Sequence, residues 1–156
     1  MENVKRLRDT NYKDYGISEE RLKELRAFCR QYEEKKSKIK YGTSSSLSDG
    51  MPKGSSQGSP TERQAIENVK YKNDCRIIEE SAIRANPGIW KYILRSVTEG
   101  LAFEFIEYDD ELGRLAMGKT DFNAYRRLFY AFLNLLEVGF KLSSLTCYSD
   151  IVISKR

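Results

Sequence analysis

The sequence has no histidine among its 156 residues. Histidine is the usual general base near neutral pH, the commonest metal ligand and the central member of most catalytic triads. The dinucleotide-binding pattern GxGxxG is also absent, and the acidic residues 109–111 lack the spacing of an EF-hand loop. Residues 113–120, GRLAMGKT, have the spacing GxxxxGK[ST] of a phosphate loop, but they follow a stretch with helical periodicity rather than the buried strand that such a loop requires. We therefore expect a protein that is not an enzyme, that holds no metal or cofactor, and that acts by binding a macromolecule.

Cysteine and long apolar runs are also scarce. The three cysteines, Cys29, Cys75 and Cys147, lie far apart and form no CxxC pair, which predicts reduced thiols rather than a disulfide framework. The first ten residues, MENVKRLRDT, lack the apolar segment of a signal peptide, and nowhere do about 18 apolar residues follow one another. These features predict a cytoplasmic protein that does not bind a membrane.

Apolar spacing and composition divide the chain into four parts. A helix is predicted from Ser18, which can cap it, to the glycine at position 42, and its apolar stripe includes Leu22, Leu25 and Phe28. Thirteen of the nineteen residues 42–60 are Gly, Ser or Pro, a composition typical of flexible linkers. We predict an N-terminal helical segment at 1–41, a flexible linker at 42–60, a helical domain at 61–139 and a C-terminal tail at 140–156.

Helical periodicity continues through the third part and predicts an all-α fold. Helices are expected from Thr61 to Asn86, from Pro87 to Gly100 and from about Thr120 to Gly139. The last of these has the buried stripe Phe122, Phe129, Phe132 and Leu136. Helical periodicity also covers residues 101–115, where the acidic stretch 107–111 can interrupt the helix. In the tail, residues 151–153 read Ile-Val-Ile and are compatible with a short strand or an extended segment.

The turn at residues 117–119 joins two of these predicted helices and gives the outline of a helix-turn-helix. In such a unit the second helix enters the major groove and presents its first residues to the bases. Arginine suits guanine and phosphate, and asparagine suits adenine. The residues predicted to contact DNA are Lys119, Thr120, Asn123, Arg126 and Arg127. Any helical hairpin with a polar face has this pattern, so these side chains also fit ordinary solvated helix positions.

Several short motifs occur in an order similar to that of a group of small prophage proteins of Gram-positive bacteria. The matching segments are YGIS at 15–18, LRAFC at 25–29, QYEEKK at 31–36, GMPKG at 50–54, PTE at 60–62, ANP at 85–87, SVTEG at 96–100, and Phe122 with YRRLFY at 125–130. The chain thus resembles late transcriptional regulators of the ArpU/RinA kind. The resemblance implies a C-terminal domain like region 4 of sigma factors, with residues 125–127 on the helix that faces DNA.

Two functions are compatible with these observations. The first is a phage-encoded transcriptional regulator that binds double-stranded DNA or the transcription machinery, with the N-terminal helix mediating self-association or a contact with a partner. The second is a phage effector that binds and inhibits a host protein, for example a defence nuclease in the manner of an anti-CRISPR. Residues 1–41 carry a net charge of +4, which favours the regulator. Residues 100–156 carry a net charge of −1 and include the acidic stretch 107–111, which favours the effector.

Overall fold

The computed structural model describes the backbone of residues 6–39 and 60–153, and side chains at 6–39 and 62–139. Nearly all of the predicted linker, 42–60, lies outside the described residues. Helices predominate, which confirms the predicted all-α class. The elements in chain order are α1 (Glu19–Arg30), α2 (Tyr32–Lys38), α3 (Pro60–Ala85), α4 (Trp90–Glu99), α5 (Phe103–Ile106), β1 (Tyr108–Asp109), β2 (Gly113–Arg114) and α6 (Lys119–Ile153), preceded by a 3₁₀ turn at Leu7–Asp9.

The N-terminal helix begins where the sequence predicts and then breaks. The Ser18 hydroxyl accepts a hydrogen bond of 3.2 Å from the Arg21 amide, which caps α1. At Gln31 the amide donates to Phe28 three residues back, and the chain turns into the separate helix α2. The prediction of one continuous helix is therefore wrong. The break lets the buried Tyr32 donate its hydroxyl hydrogen to Glu79 on α3.

One hydrophobic core contains residues from both sides of the predicted linker. Helix α1 packs against α4 and α6, and α2 packs against α3. A half-buried ion pair of 2.7 Å between Lys35 and Asp74 also joins α2 to α3. The segments predicted as separate at 1–41 and 61–139 thus share their core. Its fully buried side chains include Leu25, Cys29, Ile78, Ile93, Phe122, Phe129 and Leu133.

Residues 101–115 are helical only at their start, and the helix is interrupted at the acidic stretch 107–111, where the sequence allows a break. They form the four-residue α5 and an antiparallel hairpin in which Tyr108 pairs with Arg114. The Asp109 carboxylate accepts hydrogen bonds of 2.9 Å from the amides of Glu111 and Leu112, which closes the turn. Gly113 follows with a positive φ of 81°. These local bonds favour a turn over a continued helix.

Two other predicted helix boundaries are wrong. Asn86 caps a short turn by accepting a hydrogen bond of 2.9 Å from Gly88, and α4 begins three residues after Pro87. Helix α6 continues through Gly139 to Ile153, so residues 151–153 are helical rather than a strand. One glycine costs a helix only about 1 kcal/mol relative to alanine, too little to end one whose apolar stripe is buried. Within the described residues, no helix is both long and apolar enough to cross a membrane.

Candidate functional site

The elements on either side of Met117–Lys119 do not form the predicted helix-turn-helix. Residues 107–118, which include the hairpin, separate α5 from α6, whereas such a motif joins its helices through three or four residues. Helices α4, α5 and α6 nevertheless pack against one another. The start of α6 is therefore held by a short helix and a hairpin instead of by a preceding long helix.

The first two predicted DNA contacts lie at the exposed start of α6. Lys119 and Thr120 are both exposed, and the Lys119 ammonium is paired with the carboxylate of Glu104 on α5. An exposed ion pair of this kind contributes little to stability and exchanges readily with solvent. Both side chains can therefore reach a partner without any rearrangement of the core.

The face of α6 predicted to read DNA is covered by the N-terminal part of the chain. We call residues 6–17 the N-terminal strap. The guanidinium of Arg127 donates a hydrogen bond of 2.9 Å to the carbonyl of Arg8, and the rings of Tyr12 and Tyr130 meet edge to face with centroids 6.1 Å apart. The prediction that this face is exposed is wrong, because the strap, 110 or more positions earlier in the sequence, packs on it.

Two polar atoms on that face are buried without a partner in the part of the chain that the structure describes. Among the described residues, the Asn123 Oδ1 and Arg127 Nε atoms are buried and have no hydrogen-bond partner. The Arg8 side chain forms an ion pair with Asp121 beside them. Of the five predicted DNA-contacting residues, Arg127 is therefore bonded to the strap, and neither Asn123 nor Arg127 is fully exposed.

Arg126 faces a different surface and meets two arginines of α1. It lines a cavity of about 180 Å³ together with Arg26 and Arg30. Its Nη1 atom donates to the Ser96 hydroxyl at 3.2 Å and approaches the Leu101 carbonyl at 3.5 Å. We call this cavity the arginine pocket, and its lining residues are Arg26, Arg30, Ser96, Val97, Gly100, Arg126 and Tyr130.

The C-terminal end of α4 explains why arginines gather here. The helix ends at Gly100, which has a left-handed φ of 73°, and its last carbonyl groups carry partial negative charge. The Arg30 guanidinium lies so close that a Cβ on Gly100 would be 3.0 Å from its Nη2 atom. Glycine therefore provides both the helix end and the space for Arg30.

The arginine pocket has an excess of positive charge. No carboxylate lines it. Arg26 and Arg30 are exposed, and neither forms an ion pair with a carboxylate in the described part of the chain. Burial raises the pKa of Tyr130, so its hydroxyl stays protonated at neutral pH and keeps a hydrogen to donate. The pocket offers an anion three guanidinium groups and the Tyr130 hydroxyl, whereas the Ser96 hydroxyl already donates its hydrogen to the Leu101 carbonyl at 2.8 Å.

The sequence contained part of the signal for this site. Arg26 and Arg30 are four residues apart on a predicted helix, which places them on one face. Nothing local connects them with Arg126, which is 96 positions after Arg30 in the sequence. Of the five predicted DNA-contacting residues, only Arg126 belongs to the arginine pocket.

The rest of the described chain offers no group of three or more side chains suited to hold a metal ion. Comparison of the chain with protein-family models, with curated proteins and with solved structures finds no match. The resemblance to phage regulators therefore rests on the sequence motifs alone.

Proposed function

We propose that this protein binds double-stranded DNA in the bacterial cytoplasm as a phage-encoded transcriptional regulator, and that the arginine pocket contacts the phosphate backbone. The observation that supports this proposal is the convergence of Arg26, Arg30 and Arg126 without a carboxylate among them. Three like charges brought together repel one another unless an anion neutralises them. Guanidinium groups match the geometry of phosphate oxygens and bind them with paired hydrogen bonds.

A purely structural role accounts for only part of this arrangement. Arg126 bonds to Ser96 and Leu101, so it supports the end of α4 whether or not a ligand binds. Arg26 and Arg30 have no such bond, and both remain exposed at the mouth of the cavity. Side chains that only stabilised the helix end would not need to leave two guanidinium groups open to solvent.

The test measures binding to fragments of a phage genome by fluorescence anisotropy across a salt series. Each phosphate neutralised by the protein steepens the dependence of log K on log salt concentration by about 0.9. We expect Arg26→Ala and Arg30→Ala each to weaken binding to every fragment and to reduce that slope by about 1. Phosphate contacts carry no sequence information, so sequence preference should not change.

Arg63→Ala is the matched control, because it removes one exposed arginine from α3, on which no residue of the arginine pocket lies. It lowers the net charge equally and should leave the slope unchanged. If Arg63→Ala weakened DNA binding as much as Arg26→Ala does, the weakening would result from the lower overall charge and not from the loss of an arginine in the pocket. The absence of any DNA binding at about 50 mM salt, where phosphate contacts are strong, would overturn the proposal.

A second function, an effector that binds a host protein, is favoured by a different surface. Phe105 is 70% exposed and Tyr108 is 64% exposed, and the Arg114 guanidinium lies 5.5 Å from the centre of the Tyr108 ring. Exposed aromatic and arginine side chains are enriched at the centres of protein interfaces. The acidic stretch contributes less, because Asp109 is buried in its own turn.

Two variants, each tested for binding to host proteins and to DNA, distinguish the two functions. Recovery of one host protein from lysate by the wild-type chain, lost in Phe105→Ser and retained in Arg26→Ala, would support the effector. Salt-dependent DNA binding lost in Arg26→Ala and retained in Phe105→Ser would support the regulator.

A further inference from the structure

The outer surface of α3 and α6 carries an apolar groove. It has a volume of about 270 Å³ and lies between the two helices, which pack against each other. Leu135 on its rim is 67% exposed, and Val138 one turn later is 45% exposed. We call this surface the α3–α6 face, and its residues are Asn73, Arg76, Ile77, Glu80, Leu135, Val138 and Gly139.

The apolar character continues along α3. Ile66 is 65% exposed and Val69 is 58% exposed. Their spacing of seven and four residues from Asn73 puts them on the same side of the helix as the groove. Contiguous exposed apolar surface of this kind, bordered by polar groups, is typical of protein interfaces.

The charges on this face fit a second copy of the same chain. A two-fold interface brings the same patch from both copies together, so the patch must complement itself. Arg76 and Glu80 have opposite charges and are four residues, about one helical turn, apart. A two-fold axis passing between them places Arg76 of each copy opposite Glu80 of the other. Glu80 also pairs with Arg84 at 2.5 Å, but an exposed pair leaves the carboxylate free to accept another bond.

The size of the α3–α6 face is also compatible with a dimer interface. A helix of 26 residues such as α3 is about 39 Å long, and two helices side by side are roughly 20 Å wide. That outline is roughly 800 Å² in projection, of the same order as the area that each partner buries in a stable interface.

We propose that the α3–α6 face binds a second copy of the chain in a two-fold symmetric dimer, with Leu135 at its centre and Arg76 of each copy opposite Glu80 of the other. This surface differs from α1, whose apolar stripe is buried within the chain at Leu22, Leu25 and Cys29. The proposal does not depend on DNA binding.

The first test is the molar mass of the full chain by light scattering and sedimentation at roughly 1–100 µM, a range that detects dissociation constants of ordinary transient and stable dimers. The wild-type chain should form a dimer. Leu135→Glu should raise the dimer dissociation constant at least about tenfold, as expected for a residue at the centre of an interface. Phe105→Glu is the matched control, because it places the same charge at an equally exposed apolar position away from this face.

The second test uses charge exchange between chains. In Arg76→Glu the facing pairs become two carboxylates, and in Glu80→Arg they become two guanidinium groups, so each variant alone should dimerise more weakly. Mixing the two variants restores opposite charges at both contacts, and the mixture should form a heterodimer. Recovery on mixing cannot arise from the intrachain effect of either substitution.

A wild-type chain that stays monomeric over the whole concentration range would overturn the proposal. So would a dimer that persists in Leu135→Glu or that dissociates equally in Phe105→Glu. Circular dichroism melts of each variant separate loss of the dimer from loss of the fold. A mixture of Arg76→Glu and Glu80→Arg that remains monomeric would also contradict the two-fold arrangement.

Discussion

The Arg127 guanidinium donates a hydrogen bond of 2.9 Å to the main-chain carbonyl of Arg8. The Arg8 side chain in turn pairs with Asp121, which lies six residues before Arg127 on α6. These bonds fasten the N-terminal strap across the face of α6 that the sequence predicts to read DNA. A residue expected to recognise bases is therefore engaged in holding the protein's own backbone.

Asn123 provides the most direct test of that covered face. Its Oδ1 atom is buried without a partner among the described residues, and an unmade buried hydrogen bond costs about 1–3 kcal/mol. We therefore expect Asn123→Leu to preserve or raise the melting temperature. Asn134→Leu is the control, because its Oδ1 accepts a 2.9 Å bond from Arg21, and it should lower the melting temperature. A marked loss of stability in Asn123→Leu would mean that this oxygen has a partner in solution.

The apolar stripe of α6 predicts a large cost for truncating Phe129. This side chain is fully buried and packs against Tyr130 with ring centroids 5.0 Å apart. Removing a buried phenyl ring typically costs about 3–5 kcal/mol, so we expect Phe129→Ala to lose that much in urea unfolding. Phe132→Ala, at an incompletely buried position, should lose less. If both variants lost the same free energy of unfolding, Phe129 would not be the more deeply buried residue, and the face of α6 assigned to the core would be wrong.

The hairpin should make stability depend on acid pH through Asp109. Hydrogen bonds from the amides of Leu112 and Glu111, together with the charge of Arg95, lower the pKa of this carboxyl. A lowered pKa in the folded state contributes stability above the unfolded value of about 3.9, and that contribution is lost as the pH falls through the lower folded pKa.

Asp109→Asn should therefore be less stable than the wild type at pH 7, and the difference should shrink as the pH falls below about 4. Urea unfolding at neutral and acid pH measures both quantities. Asp110→Asn, at the exposed neighbouring position, is the control. If Asp109→Asn differed from the wild type by the same free energy of unfolding at both pH values, the ionised carboxylate would not be the source of that stability.

Capping residues and apolar spacing in the sequence predicted where most helices lie, but they did not predict which distant segments pack on them. The cap at Ser18 and the buried positions Phe122 and Phe129 are confirmed, because capping and helical periodicity depend on residues within a few turns. Tyr130 lies outside the predicted buried stripe of this helix, yet it is buried beside Tyr12 of the strap. That burial depends on a contact between residues 118 positions apart, which no local pattern encodes.

Gly100 both ends helix α4 and lines the arginine pocket. Its φ of 73° is left-handed, and a Cβ there would lie 3.0 Å from Nη2 of Arg30. Gly100→Ala should therefore cost about 1 kcal/mol or more in stability, and it should displace the Arg30 guanidinium. Gly118→Ala is the control, because its Cβ would have no atom within 4 Å.

Inorganic phosphate provides the readout, since a ligand that binds only the folded state raises the melting temperature with its concentration. We expect phosphate to stabilise the wild type and Gly118→Ala more than chloride of equal ionic strength does. Gly100→Ala should lose that extra stabilisation, because one of the three guanidinium groups no longer faces the cavity. If Gly100→Ala kept the full phosphate response despite its lower melting temperature, Arg30 would not take part in binding the anion.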